Sequence, residues 1–282
     1  MSALPELVGV VGGGRMGAGI AHAFLATGCE VVVREADPDS AQAAAARIEK
    51  SIRTAIERGT VTESWPAVSS RLRVVTSFEE LADRALVIEA VPEIIELKAD
   101  VLTAVEKSVA PECVLASNTS SLSIDTLAGA LDAPQRFIGL HFFNPVPTSE
   151  LVEIVNGART DPQLRADAVR WVNALGKQAV SVRDSPGFAT SRLGVVIALE
   201  AMRMLEEGVA SAEDIDTAMK LGYKHPVGPL ALTDIVGLDV RLDIAGHLAD
   251  TLGPRFAPPA ILRELVAQGH TGRKAGRGFY VY

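Results

Sequence analysis

A histidine and a glutamate, twelve residues apart, each lie in a run of apolar residues that predicts a buried strand. His141 ends the segment Phe137–His141, and Glu153 lies inside the segment Leu151–Val155. Histidine exchanges a proton near neutral pH, and a carboxylate is costly to bury unless it is paired. Paired with the imidazole, the carboxylate would fix the ring tautomer and stabilise the imidazolium. The two residues are therefore candidates for general acid–base catalysis, although a lone histidine at a strand end is more often structural.

The segment from residue 12 to residue 17 reads Gly-Gly-Gly-Arg-Met-Gly and fits the dinucleotide-binding pattern G-x-G-x-x-G. A strand pattern, Leu7–Val11, precedes it, and a helical pattern, Ala18–Ala26, follows. The glycines of the pattern allow a tight turn, close approach of backbone N–H groups to a pyrophosphate, and packing of helix on strand. Alone the pattern is weak evidence, because glycine-rich turns also make plain connections. The residues expected to contact the dinucleotide are Gly12, Gly14, Arg15, Met16 and Gly17.

An acidic residue at the end of the next strand strengthens this interpretation. Glu35 closes the segment Glu30–Glu35 and follows Gly12 by 23 residues, near the ~20 expected for the carboxylate that binds the adenosine ribose. A carboxylate there repels a 2′-phosphate, which favours NAD over NADP. Arg34 lies beside it, but successive strand residues point to opposite faces, so the two side chains should not both face the ribose. A strict preference for NAD stays open.

Composition excludes several classes of function. The chain is 48% hydrophobic and 22% charged, as expected for a globular protein, and its net charge of −8 disfavours nucleic acid and anionic membranes as partners. No apolar stretch approaches the ~20 residues that span a bilayer, and the N-terminal residues lack the pattern of a secretion signal. Two cysteines cannot form a disulfide framework, which favours a reducing cytoplasm. No cluster has metal-ligand spacing, so no metal is expected.

The pattern of elements predicts an α/β protein of two domains, since 282 residues exceed the usual size of one. Up to residue 183, short β-branched runs alternate with helical patterns, which is typical of a Rossmann-type, mostly parallel sheet. Strand patterns nearly vanish after the break Asp184–Gly187, so we predict an NAD-binding domain over 1–183 and an all-α domain over 184–282. In that second domain, Phe188–Glu207 is apolar nearly all round, which predicts a homodimer contact.

Six segments together resemble the L-3-hydroxyacyl-CoA dehydrogenase family, especially its short bacterial 3-hydroxybutyryl-CoA branch. The resemblance covers essentially the whole chain. Its most specific parts are the Asn-Thr-Ser-Ser and His-Phe-Phe-Asn-Pro segments with a glutamate twelve residues after the histidine. The segments are Val87–Glu93 with Lys98, Ala116–Leu122, His141–Pro147, Asp184–Phe188, Gly272–Lys274 and Gly276–Tyr280.

The resemblance implies a role for each candidate. His141 would remove the proton from the substrate 3-hydroxyl while hydride leaves for the nicotinamide, with Glu153 as its orienting partner. Ser120 would hydrogen-bond the reacting oxygen near the nicotinamide, and Asn144 would position cofactor or substrate. The resemblance also implies NAD contacts for Glu93, Lys98 and Lys274. From their chemistry alone, Glu93 could equally be an acidic residue at a helix N-terminus, Lys98 a solvent-exposed charge on a helix, and Lys274 a cation near the C-terminus.

The predicted helix from Asp37 to Arg58 carries a basic polar face. Its charges are those expected of an ordinary solvated helix. In the family, however, the corresponding helix meets the nucleotide part of acyl-CoA, and Ser51 and Arg58 align with its contact positions, Arg58 replacing the usual lysine. Binding energy from such a remote handle would orient the 3-hydroxyl, so a free hydroxy acid should be a poorer substrate.

One departure from the family affects the substrate. Many relatives carry an asparagine near the reacting carbonyl where this chain has Ser191, a shorter side chain with fewer donors. Activity is still expected, but substrate preference stays open, as do acyl chain length, direction and pathway. Two alternatives also stay open: a related dehydrogenase acting on a free or carrier-bound 3-hydroxy acid, and a non-catalytic dinucleotide-binding dimer.

Overall fold

A computed structural model describes residues 4–282, which fall into two compact units. The first unit ends at Asp184, and the second comprises Ser185–Tyr282. An eight-stranded sheet lies in the first unit, and the second is helical. The predicted α/β class with a helical C-terminal region is confirmed. Across residues 4–282, no helix combines the length and apolar character that crossing a membrane would require.

The sheet of the first unit has the strand order β3-β2-β1-β4-β5-β6-β7-β8. All neighbouring strands run parallel except β6 and β7, which are antiparallel. Helices between the parallel strands cover the sheet, so most strands are buried on both sides and have nearly continuous apolar sequences. The strands are β1 Leu7–Val11, β2 Glu30–Arg34, β3 Leu72–Val75, β4 Leu86–Glu89, β5 Val114–Ser117, β6 Phe137–Phe142, β7 Leu151–Asn156 and β8 Gln178–Arg183.

One helix of the first unit begins and ends at residues that the sequence marks. The longest, α2, begins after Asp37, whose side chain accepts the Ser40 N–H at 2.8 Å, and stops before Gly59, whose φ is +72°. It buries a stripe that includes Ile48 and Ile52 against the core and leaves its basic face outside. The helices are α1 Arg15–Ala26, α2 Pro38–Glu57, α3 Trp65–Ser69, α4 Ile95–Ser108, α5 Ile124–Ala128 and α6 Pro162–Ala174.

Five α-helices pack around a separate apolar core in the second unit. The first of them begins two residues later than the sequence pattern predicts, because Gly187 and Phe188 both have positive φ, at 72° and 49°. This helix is also not buried all round, since Leu193 is 60% exposed. The helices are α7 Thr190–Glu206, α8 Ala212–Gly222, α9 Pro229–Val236, α10 Leu238–Leu252 and α11 Ala260–Ala267.

Two buried aspartates hold the C-terminal segment onto the second unit. Asp216 accepts hydrogen bonds from the first backbone N–H groups of α9 and from the Tyr280 hydroxyl, at 2.8–2.9 Å. Asp234 accepts the backbone N–H groups of Phe279 and Tyr280, both at 2.9 Å. Burial and the Asp216 carboxylate raise the pKa of Tyr280, so its hydroxyl stays protonated and donating. Phe279 and Tyr280 near the C-terminus are therefore held against the apolar core of the second unit.

We predict that Asp234→Ala lowers the free energy of unfolding by about 2–4 kcal/mol, because it leaves two half-buried backbone N–H groups without their acceptors. Equilibrium urea denaturation followed by far-ultraviolet circular dichroism, which reports on the helices of the second unit, measures the change. Asp250→Ala, at an exposed position of α10, is the matched control and should stay within about 0.5 kcal/mol of wild type. Equal stability of both variants would show that Asp234 does not anchor the segment.

Candidate active site

The antiparallel pairing of β6 and β7 places His141 directly opposite Glu153. Their Nδ1 and Oε2 atoms are 2.9 Å apart, and the carboxylate has no exposed surface. A carboxylate so deeply buried is the acceptor for Nδ1–H, which fixes the neutral ring in the tautomer that leaves Nε2 unprotonated. Proton exchange with a substrate would therefore occur at Nε2. The structure brings together the two residues that the sequence pattern singled out.

Neighbouring groups also hold the imidazole ring in place. The ring of Phe143 packs against it, with centroids 4.3 Å apart. The side-chain carbonyl of Asn118 accepts the N–H of Phe142 at 2.9 Å, which joins the loop after β5 to the strand that carries His141. That loop continues to Ser120. Asn118 is thus a positioning residue that the sequence analysis did not assign.

Glu93 organises the loop that carries Ser120. Its Oε1 atom accepts the Thr119 hydroxyl at 2.6 Å and the backbone N–H groups of Ser120 and Ser121 at 2.8 and 3.1 Å. Burial opposes its ionisation, but the Lys98 charge and these hydrogen bonds outweigh burial and hold the pKa of Glu93 below its usual range. The ionised carboxylate fixes the Ser120 backbone, and the Ser120 hydroxyl lies 3.2 Å from the same oxygen.

Glu93 also contacts a buried ion pair, which Lys98 forms with Glu89. Lys98 Nζ lies 2.7 Å from Glu89 Oε1 and 3.2 Å from Glu93 Oε2, and it donates to the Val91 carbonyl at 3.1 Å. Glu89 also accepts the Ser117 hydroxyl at 2.6 Å. These contacts account for the three N–H groups of Lys98, so it acts on this region through Glu93. Glu89 was not assigned from sequence, although an acid in a buried strand is the same signal that identified Glu153.

The glycine-rich loop between β1 and α1 has the geometry of a dinucleotide-binding loop. Gly12 has a φ of +93°, and a Cβ atom at Gly17 would lie 1.8 Å from the Gly12 carbonyl oxygen. Gly14 precedes α1 with no side-chain cap, and a Cβ atom there would meet nothing within 4 Å. The first N–H groups of α1 therefore face open space, which is the arrangement that receives a pyrophosphate. The residues present fit a bound dinucleotide.

Glu35 and Arg34 point to opposite sides of β2, in line with strand geometry. Glu35 Oε1 accepts the Gly13 N–H at 2.6 Å, which holds the carboxylate beside the glycine-rich loop. The Arg34 guanidinium instead lies over the Phe78 ring, 3.9 Å from its centroid. Arg47 of α2 donates to the Gly13 carbonyl at 2.6 Å and fixes the other side of this peptide. Arg47 was not predicted as a site residue, since only the folded chain brings it to the loop.

A cavity of about 680 Å³ opens between α1, α2 and the loop after β6. Ser51 and Arg58 both line it, as do the cations Arg47, Lys50 and Lys177. His22 also lines the cavity, and its Nδ1 lies 2.7 Å from the Ser51 hydroxyl. Burial and the nearby Lys177 charge lower the pKa of His22 to about 4, so this imidazole is neutral near pH 7.

The remaining predicted site residues lie at the ends of elements. Asn144 is exposed in the loop after β6, two residues beyond the end of that strand, and the Asn144–Pro145 peptide is cis. Ser191 lies in the first turn of α7. Lys274 forms an ion pair with Asp239, with Nζ and Oδ2 2.5 Å apart. Ser191 and Lys274 belong to the second unit, whereas the other predicted site residues belong to the first.

We predict that Gly14→Val weakens NADH binding at least about tenfold while leaving the free energy of unfolding within about 0.5 kcal/mol of wild type. The added Cβ atom meets no protein atom within 4 Å, but the side chain occupies the space that a pyrophosphate needs. Titration of NADH fluorescence and urea denaturation measure the two quantities. Gly222→Ala, also placed in open space but in the second unit, is the control. Unchanged NADH affinity of Gly14→Val would contradict the assignment of the loop.

Family models match both units of the chain. Residues 7–185 match the model described as 3-hydroxyacyl-CoA dehydrogenase, NAD binding domain. Residues 187–282 match the model described as 3-hydroxyacyl-CoA dehydrogenase, C-terminal domain. Together the two matches include all eight strands and all five helices of the second unit.

Full-length relatives agree with these models. The 3-hydroxybutyryl-CoA dehydrogenase of Mycobacterium tuberculosis is 43% identical, with 100% of each chain covered. The human mitochondrial hydroxyacyl-coenzyme A dehydrogenase is 40% identical over 98% of this chain and 90% of its own length. The crystal structure of (S)-3-hydroxybutyryl-CoA dehydrogenase from Ralstonia eutropha matches with a TM-score of 0.94 at 40% identity, covering 99% of both chains. The chain therefore belongs to the 3-hydroxyacyl-CoA dehydrogenase family.

Proposed function

We propose that this protein is an NAD-dependent oxidoreductase that interconverts L-3-hydroxyacyl-CoA and 3-ketoacyl-CoA, with 3-hydroxybutyryl-CoA as its substrate. The observation that carries the proposal is the His141–Glu153 contact of 2.9 Å, in which the carboxylate is fully buried. Such a pair can take and return a proton at a hydroxyl-bearing carbon. The family membership and the names of the relatives support the substrate class.

In the oxidation direction, His141 takes the proton of the substrate 3-hydroxyl at Nε2. Glu153 stabilises the imidazolium that results and keeps the ring oriented. Bound NAD supplies the acceptor for the hydride that leaves C3. In the reduction direction, His141 returns the proton to the same oxygen. Ser120 hydrogen-bonds this oxygen, and Asn144 positions the reacting groups.

We assign the dinucleotide contacts to the edge of the sheet where β1, β2 and β4 end. The N–H groups at the start of α1 receive the pyrophosphate, with Arg15 and Met16 in its first turn, and Glu35 binds the ribose of the adenosine. Glu93 holds the Ser120 loop beside the nicotinamide, and Lys98 acts by fixing Glu93. Lys274 is the remaining proposed cofactor contact. The Glu93 and Glu35 hydrogen bonds described above support these assignments.

The cavity between α1 and α2 is the proposed site for the nucleotide part of coenzyme A. Four cations line it, Arg47, Lys50, Arg58 and Lys177, which suits the phosphates of that group although the chain carries a net charge of −8. Ser51 and Arg58 supply hydrogen bonds to the same group. Binding energy gained here orients the acyl group for reaction, so binding of the nucleotide part raises turnover as well as affinity.

We further propose a homodimer formed through the second unit. Exposed apolar side chains are concentrated on α8, α9 and the start of α10, and α9 packs on both of the other helices. Covering them would remove a surface that is unfavourable in water. They are Leu221 at the end of α8, Tyr223 just beyond it, Leu232, Ile235 and Val236 of α9, and Val240 of α10.

A reducing cytoplasm is the proposed location. Cys29 and Cys113 are both free and buried. Burial raises the pKa of the Cys113 thiol to about 12, which keeps it protonated and unreactive. Neither thiol therefore needs or forms a disulfide.

We predict that His141→Ala lowers kcat for NADH-dependent reduction of acetoacetyl-CoA by about 10²–10⁴-fold, because it removes the proton donor. The dissociation constant for NADH should stay within about twofold of wild type, since the histidine lies outside the glycine-rich loop. Absorbance at the NADH band measures turnover, and fluorescence titration measures binding. His247→Ala, on α10, is the control and should retain wild-type turnover.

The wild-type protein should also reduce acetoacetyl-CoA far more efficiently than free acetoacetate at equal concentration. Comparable values of kcat/KM for the two compounds would favour the free-acid dehydrogenase. Absence of turnover with both, together with retained NADH binding, would favour the non-catalytic dimer. Near-normal kcat in His141→Ala would remove this residue from the mechanism.

A further inference from the structure

Lys177 is the buried cation of the cavity between α1 and α2. It lies in the turn from α6 to β8, and its exposed fraction is 7%, whereas the other three cations that line the cavity, Arg47, Lys50 and Arg58, are exposed. In the part of the chain that the structure describes, no carboxylate forms an ion pair with Lys177, and burial lowers the pKa of its ammonium group. Burying a charge without a counter-ion is costly in free energy, and an anion bound in the cavity would offset this cost.

Two of the three N–H groups of Lys177 hold the loop after β6. Its Nζ atom donates to the Val146 carbonyl at 2.7 Å and to the Ser149 carbonyl at 2.6 Å. An ammonium group has three donors, and the third finds no acceptor among the described residues. Burial and the charge of Lys177 together lower the pKa of His22, which lines the same cavity. The ammonium group therefore lies between the loop and the cavity, with one donor left for a ligand.

The loop that Lys177 holds comprises residues 143–150 and begins two residues after His141. Val146 anchors it to α1, because a Cβ atom at Gly19 would lie 2.8 Å from the Val146 Cβ. The same loop carries Asn144, which we assign to the positioning of the reacting groups. Its residues that line the cavity are Pro145, Pro147 and Thr148. One loop thus forms a wall of the cavity and carries a residue proposed for the reaction.

We propose that the third N–H group of Lys177 donates to a phosphate of coenzyme A, while the other two hold the loop after β6 in the position that the reaction needs. The inference rests on the proposed function, because the cavity is the proposed site of the nucleotide part of the substrate. Lys177 is then a phosphate contact and also a positioning residue for Asn144. A bound phosphate offsets the buried charge and stabilises the loop, so binding of the nucleotide part improves the reaction at the acyl group.

The first test measures the phosphate contact directly in Lys177→Met, which keeps a long side chain and removes every donor. The probe is adenosine 3′,5′-bisphosphate, which contains phosphates of the nucleotide part and no acyl arm. Isothermal titration calorimetry in saturating NADH should show affinity about 10–100-fold weaker than wild type, as expected for losing a hydrogen bond between charged groups. The dissociation constant for NADH should stay within about twofold. Lys107→Met, at an exposed position of α4, is the matched control.

The second test separates the phosphate contact from the loop. Acetoacetyl-pantetheine has the same acyl arm as acetoacetyl-CoA but lacks the nucleotide part, so only the positioning role of Lys177 affects its reduction. In Lys177→Met, kcat with acetoacetyl-pantetheine should fall about tenfold, because two loop carbonyls lose their donor. The ratio of kcat/KM for acetoacetyl-CoA to that for acetoacetyl-pantetheine should also fall about tenfold or more. A purely structural role would lower both substrates equally and leave this ratio unchanged.

Lys177→Gln distinguishes the two roles further. Its carboxamide keeps two N–H donors for the loop carbonyls and has no charge. We therefore expect kcat with acetoacetyl-pantetheine to lie closer to wild type than in Lys177→Met, whereas the ratio between the two substrates should fall by a similar factor. This variant also carries both tests if Lys177→Met does not fold, which far-ultraviolet circular dichroism establishes.

Three outcomes would overturn the proposal. Wild-type affinity for the bisphosphate in folded Lys177 variants would show that the ammonium group does not bind a phosphate. A wild-type ratio of kcat/KM between the two substrates would leave Lys177 without a role in binding the nucleotide part. Unchanged kcat with acetoacetyl-pantetheine in Lys177→Met would refute the positioning role. A wild-type protein that binds the bisphosphate but reduces neither substrate would instead refute the proposed function, which is a distinguishable result.

Discussion

A carboxylate with no exposed surface must be paired, and this constraint determines how the candidate active site is built. Glu153 meets the constraint only because β6 and β7 run antiparallel, which puts His141 directly across from it in an otherwise parallel sheet. The pairing uses Nδ1 of the ring and thereby selects Nε2 for proton exchange. Strand direction, ring tautomer and the ring nitrogen proposed to exchange the proton are thus linked through one buried contact.

A second buried carboxylate, Glu89, must also be paired. Glu89 is as fully buried as Glu153, and Lys98 compensates its charge while also holding Glu93. Glu93 in turn binds the backbone of the Ser120 loop. The fold therefore positions the side chains of the candidate active site through buried charge pairs rather than through apolar packing alone. Removing one member of such a pair leaves the other charge buried without a partner, which makes these positions sensitive to substitution.

Sequence reasoning succeeded where a local rule applies. Alternation of strands and helices predicted the α/β class, and an acid inside an apolar strand predicted the His141 partner. The helix predicted from Asp37 to Arg58 corresponds to α2. Contacts between distant elements could not be predicted, among them His22 with Ser51 and Arg47 with Gly13, because no periodicity encodes them. The late start of α7 was missed since Phe188 adopts a positive φ that its type does not favour.

The pH dependence of kcat/KM for 3-hydroxybutyryl-CoA oxidation in wild type and Glu153→Gln tests the central claim most directly. If the buried carboxylate stabilises the imidazolium of His141, its neutralisation lowers kcat/KM by about tenfold or more and moves the acidic limb of the profile to lower pH. Glu150→Gln, at an exposed position before β7, should reproduce the wild-type profile. A Glu153→Gln profile that coincides with wild type in height and position would contradict the account.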